Sequence, residues 1–350
     1  MSLTLRLAAR LPGRAAALSA PFALLALVVA LALAALALGP APISPLRAGA
    51  ALFGAGGAME VAVVQGVRAP RLVLALSVGA GLALCGAALQ GMLRNPLADP
   101  GLIGVTAGGA VGAVSVIVLG EALLSGLPAG LRPYLLPIAA FCGAVIVIAL
   151  LFALARRAGE TATATLILAG VAINAVAGAF IGLLTYISDD RQLRELTFWT
   201  MGSFGAADWR VTLAALALAA IAAPVFLHAA RALDLMQLGE RAAFHSGVDV
   251  ERLKRRVALA AALGVGGATA AAGPVGFIGL VAPHLARLTV GPAHGAMLPV
   301  AALYGMALAL IADLFVRLVA PPAEPPVGLA LSLIGGPFFL WMILRGRGRA

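Results

Sequence analysis

The chain has 350 residues, of which 62% are hydrophobic and only 11% charged, and its mean hydropathy is +1.06. A soluble globular domain carries about 25% charged residues, so this composition excludes a water-soluble protein and makes lipid the main solvent. The formal charge of +10 is read as basic residues marking the cytoplasmic ends of membrane spans rather than as nucleic-acid binding.

From the N-terminus, Arg6, Arg10 and Arg14 precede an apolar run over residues 20–38. It superficially matches a signal peptide, but it is long enough to span and is read as a retained first helix. Further spans are predicted near 72–93, 101–120, 134–155, 161–187, 211–228, 296–316 and 326–344. The uncharged run from Val257 to Pro283 is interrupted by Gly273-Pro274, and proline removes a helical donor. Arg345, Arg347 and Arg349 close the chain, so both basic termini are expected in the cytoplasm and the number of crossings must be even. Breaking the long run at Gly273-Pro274 gives about ten spans in one all-α polytopic domain covering residues 1–350. It places Arg94, Arg156, Arg157, Arg231, Arg241, Arg252, Lys254, Arg255, Arg256 and Arg287 inside. Arg47, Arg68, Arg71, Arg132, Arg191, Arg194, Arg210 and Arg317 then lie outside.

Several stretches carry chemistry. Arg68-Ala-Pro-Arg71 stands before the second span, where both guanidiniums are expected to face water, either as interfacial anchors or as a pair suited to carboxylates of a docking protein. Arg94-Asn-Pro-Leu-Ala-Asp-Pro100 reads as a tight cytoplasmic hairpin. Tyr186 to Trp199 combines charges with aromatics near the outer surface, so interface anchoring and contact with an anionic ligand through Arg191 or Arg194 are both open. Residues 229–256 form the longest polar stretch inside, and its apolar punctuation at Leu233, Leu235, Met236, Leu238, Phe244 and Val248 favours short amphipathic helices that dock on a partner. Asp313 and Arg317, four residues apart in an apolar run, can face each other along a helix. Small-residue spacings such as Gly104-x-x-x-Gly108 and Gly108-x-x-x-Gly112 fit close helix packing.

Other chemistry is missing from the sequence. Cys85 and Cys142 read as small buried hydrophobes, and the four histidines have no metal-ligand spacing, so no metal site is expected. There is no G-x-x-x-x-G-K-[ST] phosphate loop, and the only lysine is Lys254. If ATP drives this protein, another chain hydrolyses it. An ion-coupled secondary transporter would need a midplane acidic site, for which Asp313 is the only candidate, and no clustered His, Cys or carboxylates suggest an enzyme.

Taken in order, Arg68-Ala-Pro-Arg71, Arg94-Asn-Pro-Leu-Ala-Asp-Pro, Trp199-Thr-Met-Gly-Ser203, Gly239-Glu-Arg-Ala, the long motif from Gly273 to Arg287, Ala312-Asp-Leu-Phe-Val-Arg317, Pro326-Val-Gly and Gly335-Gly-Pro-Phe-Phe339 resemble the permease family of ATP-binding-cassette importers for iron-siderophores, haem and cobalamin. The resemblance runs from about residue 60 to the end. It implies a type II importer permease fold, a homodimer in the bacterial inner membrane, two cytoplasmic ATPase subunits that bind the ATP, and a periplasmic substrate-binding protein. No permanently bound cofactor is implied. It assigns ATPase coupling to Leu233, Asp234, Leu238, Gly239, Glu240, Arg241, Gly247 and Val248, and binding-protein docking to Arg68, with Arg71 behind it, and Arg317. The Tyr186 to Trp199 stretch looks most like haem permeases, though cobalamin permeases carry a similar Leu-Arg and Trp pattern. For haem, Arg191 or Arg194 would meet the propionates.

Overall fold

A computed structural model describes residues 14–101, 104–123, 126–157, 160, 161, 163–321 and 323–347. Arg6, Arg10 and Arg349, on which part of the orientation argument rests, lie outside the described residues. The chain begins with α1 (Arg14–Ala37) and two short helices, α2 (Pro45–Leu52) and α3 (Ala58–Val63). A single π-helical turn, Val64–Arg68, leads into α4 (Ala69–Leu93). Then come α5 (Val105–Leu123), α6 (Arg132–Ala155), α7 (Thr163–Tyr186), α8 (Asp190–Thr200) and α9 (Trp209–His228). The short α10 (Ala230–Met236) and α11 (Glu240–His245) precede α12 (Val250–Ala272), α13 (Ile278–Val290), α14 (His294–Val319) and α15 (Val327–Arg347). The only strand pairing among the described residues joins Arg156–Arg157 to Glu160–Thr161.

Each predicted span is a helix, and the uncharged run does divide: α12 stops at Ala272 and α13 starts at Ile278. Among the described residues six helical segments are long and apolar enough to cross a membrane, and α5, α13 and α15 supply shorter apolar helices. The seventh predicted helix differs from expectation at its start. Residues 250–256, read as loop because they are charged, form the first two turns of α12, capped by the Asp249 carboxylate on the Arg252 amide.

Lipid offers helices no hydrophobic reason to associate, so the bundle is held by close backbone approach at small residues and by polar contacts. In the best-spanning window, 78% of residues are buried for the segment that contains α4 and 61% for α14, against 17% for α7. The first two form the centre and α7 the periphery. A Cβ on Gly79 or Gly305 would lie inside van der Waals contact with the other's carbonyl oxygen, which marks where α4 and α14 touch. Gly108, Gly112 and Gly143 do the same for α5 and α6. The Gly108-x-x-x-Gly112 spacing is thus a packing face, whereas Gly104, at φ +86°, lies in the turn before α5.

Three motifs meet at one knot. Gly202 and Gly273 both adopt positive φ, +71° and +70°, and each backbone runs against the other's strand of chain: a Cβ on Gly202 would strike the Pro274 carbonyl, and one on Gly273 the Trp199 carbonyl. The Ser203 amide donates to the Ala272 carbonyl at 2.8 Å, and Gly328 packs on Met201. The turn after α8, the break between α12 and α13, and the start of α15 are thereby joined. Phe277, also left-handed at φ 65°, lies where any side chain on Gly335 would be.

Candidate functional site

Polar residues gather at the two ends of this apolar bundle. At the end that the sequence assigns to the outside, Asp313 accepts from Arg71 Nε at 2.8 Å and from Arg317 Nη1 at 3.3 Å, and Arg71 Nη1 also reaches Glu324 at 2.6 Å. Arg68 donates to the carbonyls of Leu36 and Ala37 at 2.7 and 2.8 Å and to that of Ala41. Arg317 donates to the carbonyls of Ala35 and Leu38. The last carbonyls of a helix have no partner within it and carry its negative dipole end, so these two guanidiniums together cap the C-terminus of α1.

The expectation that Arg68 and Arg71 face water is therefore corrected. They are 5% and 6% exposed, and Arg317 is 4% exposed. The sequence could not show this, because the α1 carbonyls and Asp313 that draw the guanidiniums inward are far away in the chain. The internal Asp313–Arg317 pair is present as expected, with Arg71 as an unforeseen third member. Three guanidiniums against two carboxylates leave the cluster with one excess positive charge.

At the opposite end the 229–256 segment folds into the short helices that its pattern predicts, and its apolar residues divide by direction. Leu233 and Met236 are fully buried against the bundle, while Leu238 and Phe244 are 72% and 67% exposed. Gly239, at φ +110°, opens α11, and Gly247, at φ +86°, closes the turn after it; Val248 packs inward on the core and Arg241 faces out. Two ties hold these helices to the membrane part. Asp234 Oδ1 accepts from the backbone and Nδ1 nitrogens of His294 at 2.9 and 2.6 Å. Lys254, only 1% exposed, meets Glu240 at 2.8 Å and Glu251 at 3.6 Å.

The predicted hairpin after α4 is packed rather than free. Asn95 and Asp99 accept from the amides two residues on, and Gln90 donates to the carbonyls of Ala98 and Gly279 while accepting from Arg287 at 2.6 Å. Burial raises the Asp99 carboxyl above its usual range despite the opposing Gly101 amide. Sequence reasoning missed His294, Gln90 and Arg287. Arg287 ends the motif that starts at Gly273 and Gln90 lies in the last turn of α4, but nothing local pairs them.

The stretch expected as an outer loop after Tyr186 is the helix α8, begun by a reciprocal Asp189–Gln192 capping box. Arg191 and Arg194 are both exposed on it. Only Arg191 lines the polar recess of about 230 Å³ that it shares with Arg132, Asp189, Gln192 and Glu195. A larger groove of about 840 Å³ runs between α5, α6 and α7 with almost wholly apolar walls. Cys142 lines that groove and is exposed, contrary to its expected burial, while Cys85 is buried as expected.

The described residues thus form an apolar helical bundle, a membrane protein by its spans, with a buried ion cluster at one end and a pair of short helices packed on the other. The model of the FecCD transport family matches residues 26–345, and the chain belongs to that family. It is 47% identical over 281 residues to the hemin transport system permease protein HmuU of Yersinia pestis, covering 80% of this chain and 83% of that one. It is 42% identical to the cobalamin import system permease protein BtuC of Halobacterium salinarum (80% and 73% covered), and 36% identical to the iron(3+)-hydroxamate import system permease protein FhuG of Bacillus subtilis (91% and 94% covered). A solved structure described as an inward-facing conformation of a metal-chelate type ABC transporter superposes with a TM-score of 0.82 at 32% identity, covering 93% of this chain and 99% of that one. The chain is accordingly an ABC importer permease subunit, with ATP hydrolysis on a separate subunit.

Proposed function

We propose that this permease moves haem from the periplasm to the cytoplasm across a bacterial inner membrane. It works as a homodimer of ten-span subunits with the type II importer fold and both termini inside. Two cytoplasmic ATPases dock on the 229–256 segment, and a periplasmic binding protein seats on the end that holds Arg68, Arg71 and Arg317. The observation that carries the reading is the α10–α11 unit: two exposed apolar anchors, Leu238 in the turn between the short helices and Phe244 on the second, with the helices tied to the bundle by Asp234–His294 and Glu240–Lys254. A loop with no mechanical task has no need of such ties. The haem assignment is supported by the 47% identity to a hemin permease, against 42% and 36% for the cobalamin and hydroxamate relatives. Arg191 and Arg194 on α8 are the groups suited to its propionates.

The same importer carrying cobalamin or a ferric siderophore is the second reading, supported by those relatives. An ion-coupled transporter is disfavoured because Asp313, the one acidic candidate, already has a guanidinium on each oxygen, which balances its charge and removes the electrostatic pull on a cation. In proteoliposomes with the partner ATPase and a binding protein loaded in turn with haem, cobalamin and a ferric siderophore, ATP-dependent uptake of haem is expected. Uptake that persists with a catalytically dead ATPase overturns the importer reading, and uptake of cobalamin alone moves the cargo. Normal haem uptake by an R191Q/R194Q variant removes those arginines from the path.

Phe244→Asp should weaken ATPase docking by about 30-fold, since an exposed aromatic anchor in an interface is worth about 2 kcal/mol. The side chain is exposed, so thermal stability of the permease alone should stay unchanged. Co-purification of the ATPase with the variant reads the effect, and undiminished capture would show that α11 is not the docking helix.

A further inference from the structure

α4 and α14 run antiparallel through the centre of the bundle, and three contacts fix their register. At the outer end Arg71 Nε meets Asp313 at 2.8 Å. Midway Gly79 and Gly305 touch backbone to backbone. At the inner end the His294 ring lies directly over Gly91, where a Cβ would fall 2.5 Å from Nε2. Between the first and second contacts each helix advances eight residues, in opposite directions. Between the second and third, α4 advances twelve and α14 eleven, so the register does not slip. Twenty residues of α-helix cover about 30 Å, which is the thickness of the hydrocarbon core.

Each end of this pair carries one half of the machinery. The outer ends hold the Arg71–Asp313–Arg317 cluster. The inner ends hold α10: His294 grips Asp234 through two nitrogens, and Gln237 Nε2 donates to the Gly91 carbonyl at 2.8 Å. The segment assigned to the ATPase is thus fastened to the feet of both helices and, through α11, to Lys254 on α12.

We infer that α4 and α14 form a rigid strut that links the seating of the binding protein at the outer cluster to the ATPase-docking segment, with His294 as the positioning residue at its inner foot. The inference rests on the permease reading given above. Close-packed interiors transmit displacement because they cannot deform continuously, and a helix pair pinned at its middle and both ends moves as one body. A push at the outer arginines then arrives at Asp234 and Gln237 without passing through the peripheral α7.

The test uses the complete reconstituted transporter and reads ATPase activity with and without haem-loaded binding protein. In the unmodified complex the loaded binding protein should stimulate hydrolysis. His294→Leu and Gly305→Ala should keep basal hydrolysis and co-purification of the ATPase while losing about fivefold or more of the stimulation, the scale of a coupling free energy between sites. His294→Asn, whose amide nitrogen can take the place of Nδ1, should retain it. Gly305 lies at the middle of the pair, away from both docking ends, so its variant carries the test alone if His294→Leu does not assemble. Undiminished stimulation, or a parallel fall of basal and stimulated rates, overturns the strut. An unmodified transporter that shows no ATP-driven import at all defeats the permease reading, and the strut with it.

Discussion

Asp313→Ala is expected to cost about 3–5 kcal/mol of stability, the usual consequence of removing one member from a buried ion pair. Asp313 is 1% exposed and lies between two guanidiniums that are themselves 6% and 4% exposed. After the substitution Arg71 keeps Glu324 at 2.6 Å, but Arg317 keeps only the Ala35 and Leu38 carbonyls of α1. A guanidinium that can neither reach water nor find a counter-ion carries its full desolvation cost. The Arg47–Glu60 pair is the internal control, since Arg47 is 68% exposed and breaking an exposed pair costs about 1 kcal/mol or less. Thermal unfolding of the purified protein in detergent should separate Asp313→Ala from Arg47→Ala clearly. Removing Arg317 as well should restore part of the loss, because the double variant no longer buries that unpaired charge. Equal effects at the two sites would mean that the cluster is solvated and that its buried geometry is not what holds α1 in place.

The spans were legible because lipid as solvent demands long apolar helices, and the Gly273-Pro274 break because proline cannot continue one. Helix α12 was legible only in part. Its first two turns are charged, and a charged stretch beside an apolar run looks like loop until Asp249 is seen capping it and Lys254 is seen buried. The identity of the outer arginines was legible and their surroundings were not. Arg317 bonds to Ala35 across 282 residues and Arg71 to Asp313 across 242, and nothing local encodes either meeting. The coupling segment shows the same limit at shorter range. Its amphipathic pattern announced short helices, but which apolar residues turn inward depends on His294, 60 residues beyond Asp234. The motif strings Trp199 to Ser203, Gly273-Pro and Pro326-Val-Gly stand in the sequence as separate points of resemblance. Only the backbone shows that they are one structure, three chain segments too close together for any side chain at Gly202, Gly273 or Gly328.

Glycine substitutions in the centre of the bundle should have opposite signs at positions that look alike in sequence. Gly305→Ala is expected to destabilise by about 1–3 kcal/mol as overpacking, and Gly305→Val by more. The added Cβ would fall 2.6 Å from the Ala83 methyl and nearer still to the Gly79 carbonyl oxygen, and backbone cannot rotate aside as a long side chain can. Relief requires α4 and α14 to separate, which also draws Arg71 away from Asp313 and Gly91 away from His294. The damage should therefore appear in binding-protein stimulation as well as in thermal stability. Gly264, in the middle of α12, is equally buried, yet a Cβ there meets nothing closer than Ala222 at 3.7 Å, an ordinary contact. Gly264→Ala should be neutral or stabilising by up to about 1 kcal/mol, because it removes the conformational freedom of a helical glycine in the unfolded chain without crowding the folded one. Melting temperatures of the two alanine variants in one detergent give the comparison directly. Similar melting temperatures would show that the α4–α14 crossing has room to spare, and a crossing with room to spare cannot hold two helices in fixed register across the membrane.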